Sequence, residues 1–349
     1  MMNKSTLVKR SLSVLIGCCL AAGVALMLSG CQSKNKQPAE NQSQEIIKSK
    51  KDLSHIKVGY CSPSLNAPFY VALSDAIRQN VGDYKMSFVS VDGQDDISKQ
   101  IKGVEDLISK GVNVIVLNPL DPKALVPTVN AAAKSGIPVF IVDSYIDPSA
   151  RYVTSVMADN QGNGELLGSW AAEKLKGTPI HMALISGAQG NPVGREKRLG
   201  FMRGVIDQQL ISEGHAALSV ASQGWGNWTI SGGLKAAEDI LVAHPDINLV
   251  VAENDAMAMG ALRAINESKK GSPILVVGFD GQKDALKLIK DGTLGATALN
   301  SPGALAKLTV QSIVEYENGA VGTGKVIHTK AVLINSSNVD KYYDPNAPF

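Results

Sequence analysis

The stretch GVNVIVLNP, Gly111–Pro119, is followed after a helix-like segment by SGIPVFIVDS, Ser135–Ser144. Each is a short, β-branched apolar run bounded by Gly, Pro or Asn, as expected of a buried strand. The same layout returns in HPDINLVVAEND, His244–Asp255, and KGSPILVVGFDG, Lys270–Gly281. In each half, two successive strands end on a polar residue: Asn118 and Asp143, then Asn254 and Asp280. Strands that alternate with helices imply right-handed crossovers and a parallel sheet covered on both faces. Residues at the carboxyl ends of such strands line the crevice where open α/β sheets bind ligands. The pattern therefore predicts two α/β halves that face each other across one cleft.

Working outward, the same rhythm predicts strands at Ile56–Cys61, Met86–Val91, Val112–Asn118 and Pro138–Asp143. Helices are expected at Tyr70–Val81, Asp96–Lys110 and Pro122–Lys134. In the second half, strands are expected at Ile180–Ser186, Ala217–Ser222, Leu249–Ala252 and Ile274–Phe279. The 349 residues suit two domains better than one. With 44% apolar and 19% charged residues, the chain is neither disordered nor collagen-like. A formal net charge of +2 gives no electrostatic case for nucleic acid, and no stretch after residue 30 is long and apolar enough to span a bilayer.

The chain opens with Lys4, Lys9 and Arg10, then an apolar run from Leu12 to Leu28, then Leu28-Ser29-Gly30-Cys31. This reads as an export signal, residues 1–30, whose ending resembles a bacterial lipobox. Cys31 is then the expected lipidation site, and the protein is expected to be exported and lipid-anchored on the extracytoplasmic or periplasmic face of the cell membrane. Residues 31–55 are polar and rich in Lys, Gln, Asn and Ser, a composition suited to a flexible tether. Cys18 and Cys19 leave with the signal, so Cys61 has no intramolecular partner and is expected to be a small buried hydrophobe.

Five of the 17 aromatic residues fall at expected strand-to-helix turns: Phe69, Tyr70, Trp225, Trp228 and Phe279. Aromatic walls beside carboxylates and amides suit a neutral, hydroxyl-rich ligand. The apolar face of a sugar ring lies on an aromatic plane, while Asp143, Asp280 and Asn254 take its hydroxyls. Arg195, Lys197 and Arg198 open a helix within GREKRLGF, Gly194–Phe201, against the helix dipole, which suggests a local purpose for them. Helix capping is the competing role for the two Asp. No HExxH pair, phosphate loop or metal-ligand spacing is present, and Gly162–Gly168 is one residue too long for GxGxxG. Neither enzymatic activity, metal nor cofactor is expected.

The runs SLNAPFY (Ser64–Tyr70), VNVIVLNPLDPKAL (Val112–Leu125), GIPVFIVDS, REKRLGF, AHPDINLVVAENDAMAMGALRAI (Ala243–Ile265) and ILVVGFDG resemble the ribose-binding protein family, the sugar-binding components of ABC importers. The resemblance covers about Ile56 to Ile334. It implies the type I periplasmic binding protein architecture: two Rossmann-like lobes with parallel sheets, joined by a three-strand hinge and closing around the ligand. The expected lobes are 56–158 plus 301–327 and 159–300 plus 328–349.

The family's ligand contacts fall on Phe69, Tyr70, Asp143, Trp228, Asn254, Phe279, Asp280 and Asn300. Three positions depart: Ala67 replaces an Asn, Ser144 follows the first Asp in place of Arg, and Lys197 replaces an Arg, with Arg195 nearby. Lys lacks the rigid fork of a guanidinium, which points to a pentose or hexose other than ribose, a polyol, or a furanose-like signal such as autoinducer-2. The implied protein is a monomer that captures a small polyhydroxylated ligand and delivers it to ABC permease subunits. The alternative is a sensor that presents itself to a chemoreceptor or sensor kinase.

Overall fold

A computed structural model describes residues 51–268, 273–320 and 326–349. The export signal, Cys31 and the tether up to residue 50 lie outside the described residues.

The first sheet contains β1 (Lys57–Ser62), β2 (Ser87–Asp92), β3 (Val114–Leu117), β4 (Val139–Val142), β5 (Thr154–Ala158) and β11 (Val326–Thr329). The second contains β6 (Ile180–Ser186), β7 (Leu218–Trp225), β8 (Leu249–Ala252), β9 (Leu275–Asp280), β10 (Ala296–Leu299) and β12 (Leu333–Asn335). Their orders are β11-β5-β4-β3-β1-β2 and β12-β10-β9-β8-β6-β7. The two sheets thus share one strand order, so β4 and β9 occupy matching places. Every pairing is parallel except β12 on β10, which is antiparallel.

The four central strands β3, β4, β8 and β9 are apolar on both faces because helices cover both sides. Around the first sheet these are α1 (Pro68–Asp83), α2 (Ile97–Ser109), α3 (Val126–Lys134) and α9 (Pro302–Glu317). Around the second they are α4 (Asn160–Lys174), α5 (Pro192–Glu213), α6 (Ile230–Ala243), α7 (Asp255–Ser268) and α8 (Lys283–Lys290). Tyr60, Phe140 and Val310 belong to the core on one face of the first sheet, and Leu107, Ile115 and Ile141 to the other. Each fully buried side chain of this kind contributes about 1.5–3 kcal/mol.

Helix starts follow local chemistry. Asp96 accepts from Ser98 N and Lys99 N, so α2 begins at Ile97. The third helix starts at Val126, later than the expected Pro122. The reason is Asp121, whose carboxylate accepts from Lys123 N and Ala124 N at 2.8 Å each and holds those residues in a turn.

Three passages connect the sheets: after Ala158, after Leu299 and between Thr329 and Leu333. His328 and Thr329 still pair with Met157 and Ala158, so the third passage falls just beyond the expected 327/328 division. At the other end, Leu53 is buried and Ile56 N donates to Leu53 O, so the expected tether is already packed into the first core before residue 55. No helix among the described residues is long and apolar enough to cross a membrane.

Candidate ligand-binding site

Asp143 follows β4 and Asp280 ends β9, at matching places in the two sheets. Both have left-handed backbone, with φ of 64° and 108°. Such conformations cost a non-glycine residue on the order of 1–3 kcal/mol and cluster at ligand sites. Neither Asp caps a helix; the residue before α8 is Gln282.

Asp143 accepts from two amides: Asn118 Nδ2 at 3.0 Å on Oδ2, and Asn300 Nδ2 at 3.2 Å on Oδ1. Burial pushes its carboxyl above the ordinary range; the two amide bonds and the Lys197 charge act in the opposite direction. The Oδ1 of Asn300 is buried without a hydrogen-bond partner. Tyr70 is pushed up in pKa by burial, then by Asp143 and, more weakly, by Asp280. It therefore feels the carboxylates of both sheets.

Lys197 is only 3% exposed although it has charged neighbours; α5 starts at Pro192, earlier than expected, so Lys197 lies in its second turn rather than at its opening. Its ammonium donates to Asp280 Oδ1 at 2.8 Å and to the Glu253 carbonyl at 2.9 Å. It also stands 5.3 Å from the centre of the Phe279 ring and 5.7 Å from that of Trp228, within cation–π range. An ammonium carries three donors, so the two hydrogen bonds leave the third free for a ligand oxygen.

Trp228 is held from below by Gly187: a Cβ there would sit 2.1 Å from the indole. Its backbone has φ of 63°, and its carbonyl accepts from Asn254 Nδ2 at 3.1 Å. The Oδ1 of Asn254 in turn accepts from Met257 N at 2.9 Å at the start of α7. Asn254 thus fixes the Trp228 turn to α7.

Two further carboxylates complete the second sheet's edge. Glu253 is buried and accepts from Ser186 Oγ, Gly187 N and Arg198. Asp255 takes Thr297 Oγ1 at 2.7 Å and the amides of Gly281 and Gln282 at 2.8 Å each, which shapes the turn after Asp280. Burial, followed by the Asp280 charge, pushes Asp255 up to about 8.

Of the expected site residues, Tyr70, Asp143, Lys197, Trp228, Asn254, Phe279, Asp280 and Asn300 are joined by these contacts and charges. Ser144 is buried immediately after Asp143. Phe69 stands edge-on to Tyr70 at 5.8 Å. Arg195 is exposed, as is Trp225, which lines a separate 260 Å³ groove between β7 and α6. Phe279 is a core residue that presents its ring to Lys197 rather than a free wall.

The sequence marks Asn118 as a strand end without giving it a site role, and nothing in it singles out Glu253. The run Glu253-Asn254-Asp255 contains three polar residues, and only the fold shows which of them turns inward. Among the described residues no group of three or more His, Cys, Asp or Glu could hold a metal ion.

The two halves also touch directly, through a hydrogen bond that Tyr145 OH donates to Glu196 Oε1. Residues 58–320 match the model of the periplasmic binding protein domain. This chain belongs to the periplasmic binding protein family.

Among its relatives, this binding protein is 37% identical over 262 residues to the ribose import binding protein RbsB of Bacillus subtilis, covering 75% of this chain and 82% of that one. Two solved structures share its architecture. A galactofuranose binding protein is 25% identical with a TM-score of 0.77, over 84% of this chain and all of the other. An ABC transporter solute binding protein from Mycobacterium smegmatis, with bound glycerol, is 31% identical with a TM-score of 0.76, over 84% and 98%. The relatives are binding proteins, and this chain is a binding protein rather than an enzyme. The family is extracytoplasmic.

Proposed function

We propose that this protein captures a small sugar or polyol between its lobes and hands it to an ABC permease, acting as a monomer tethered to the membrane through lipidated Cys31. We take the lobes as 56–158 with 301–327 and 159–300 with 328–349, except that β11 keeps His328 and Thr329 on the first sheet. One observation carries the reading: Asn300 donates its side-chain amide to Asp143 at the edge of the first sheet and its backbone N–H to the Asp280 carbonyl at the edge of the second.

The chemistry suits a neutral, hydroxyl-rich ligand. The two carboxylates and the unpartnered Asn300 Oδ1 accept from hydroxyls, and the third Lys197 N–H donates to a ring or hydroxyl oxygen. Hydrogen bonds to charged groups contribute about 1.5–3 kcal/mol each, so a few of them reach the roughly 8 kcal/mol of micromolar binding. The ribose, galactofuranose and glycerol named for the relatives are all polyhydroxylated, which supports the same class. Contacts from both lobes favour the closed state over the open one, which is the differential affinity that closure requires.

Calorimetric titration with D-ribose, L-arabinose, D-allose, myo-inositol, glycerol and autoinducer-2 tests this reading. The expected result is micromolar or tighter binding of at least one, with the ligand recovered unchanged. Absence of binding across the panel would overturn it. For the anchor, Cys31→Ala is expected to move the exported protein out of the membrane fraction; retention there would refute acylation at Cys31.

A further inference from the structure

Residues 344–349 touch both lobes. A short 3-10 turn at Val339–Lys341 lies against α8, and Tyr343 packs on the core of the second sheet. Beyond Tyr343 the chain is exposed except at Ala347 and Phe349. The Ala347 carbonyl accepts from Lys283 Nζ at 2.7 Å. Lys283 begins α8, three residues after Asp280, on the second lobe's edge of the cleft.

Phe349 then meets Phe69, edge to face, with ring centres 5.4 Å apart and planes at 83°. Phe69 belongs to the first turn of α1, on the first lobe's edge, and its ring also stands edge-on to Tyr70. The three rings Tyr70, Phe69 and Phe349 thus form a continuous chain of edge-on contacts that ends on residues 344–349.

The segment is shaped rather than loose. Ala347 N donates to Asp344 O, and Asn346 N to Asp344 Oδ1 at 2.8 Å. Pro345 and Pro348 restrict the backbone on either side of Ala347.

We propose that residues 344–349 form a strap across the mouth of the cleft, in which Phe349 seated on Phe69 retains the bound ligand. This rests on the reading of the cleft as the ligand site. Lys283 fastens the strap to one lobe, and the ring contact fastens it to the other. Because the two anchor points belong to different lobes, opening must break either the Lys283 anchor or the ring contact. The strap therefore slows release while contributing little to the selection of ligand.

The test uses Phe349→Ala and Lys283→Met in the full chain, with D-ribose as the probe and Trp fluorescence followed in a stopped-flow instrument. Each variant is expected to release D-ribose about three- to tenfold faster than the parent with little change in association rate, since one aromatic contact or one anchor is lost. Equal release rates in parent and variants would overturn the strap.

If the parent gives no signal with D-ribose, hydrogen exchange of the sugar-free protein decides the strap independently of ligand choice. Faster exchange over residues 69–73 in Phe349→Ala supports it, and identical exchange rejects it. A strap intact by exchange in a protein that binds none of the tested sugars would place the failure in the ligand reading alone.

Discussion

Lys197 donates to Asp280 at 2.8 Å in an ion pair that is nearly sealed from water, with the rings of Phe279 and Trp228 centred 5.3 and 5.7 Å from the ammonium. Removing one member of such a pair leaves an uncompensated buried charge, which costs far more than the intact pair contributes. Lys197→Met is therefore expected to lower stability by about 3–5 kcal/mol, read by urea unfolding. Lys197→Met combined with Asp280→Leu should recover most of that loss while ligand binding stays absent. Equal stability of the single and double variants would contradict the pairing.

Asp143 at the edge of the first sheet accepts from Asn300, which follows β10 of the second, so the two edges meet at this pair. Asp143→Ala removes a carboxylate that two amides hold in place. A loss of at least tenfold in affinity is expected, about 1.4 kcal/mol, measured by calorimetry. Asn300→Ala should weaken binding similarly and also lower the melting temperature, because the buried Asp143 Oδ1 loses the amide it accepts from.

Asp255 makes stability depend on pH. Its folded-state pKa, near 8, lies above the unfolded value near 3.8. Between those values the folded protein holds a proton that the unfolded chain has released, so stability falls as pH rises from 4 to 8 and levels off beyond. Asp255→Asn keeps acceptors for Gly281 N and Gln282 N and is expected to flatten that slope, which one group can make at most about 1.4 kcal/mol per pH unit. Denaturant midpoints at several pH values read this directly; an unchanged slope in Asp255→Asn would assign the effect elsewhere.

Gly187→Ala tests the seat of Trp228. The new methyl would overlap the indole at 2.1 Å and force it to move. We expect a cost of about 1–3 kcal/mol, a shift in Trp emission and weakened ligand binding. Parental emission and affinity would show that the indole has another seat.

Much of the architecture could be read from the chain because β3, β4, β8 and β9 are buried on both faces and so appear as unbroken apolar runs. The polar residues that end them mark the cleft for the same reason. Strands β5, β10, β11 and β12 were not legible. TSVMA, ATAL, VIHT and LIN are short and mixed, and β11 pairs with a strand from the far end of the first lobe, Val326 opposite Ser155. The antiparallel β12 follows from the short passage at Thr329–Leu333, which composition does not encode.

Within the site, sequence placed cations at the start of α5 without separating Lys197 from Arg195. Only helical phase against β8 and β9 buries one and leaves the other in solvent. The closing Phe349 carried no pattern at all, since its partner Phe69 is 280 residues away.

The most direct measurement is a crystal structure of the protein with the tightest-binding sugar of the panel. We expect one ligand that accepts from Lys197 and donates hydroxyls to both Asp143 and Asp280, at hydrogen-bond distances of about 2.5–3.0 Å. A sugar bound to one lobe only, or away from both carboxylates, would contradict the shared cleft.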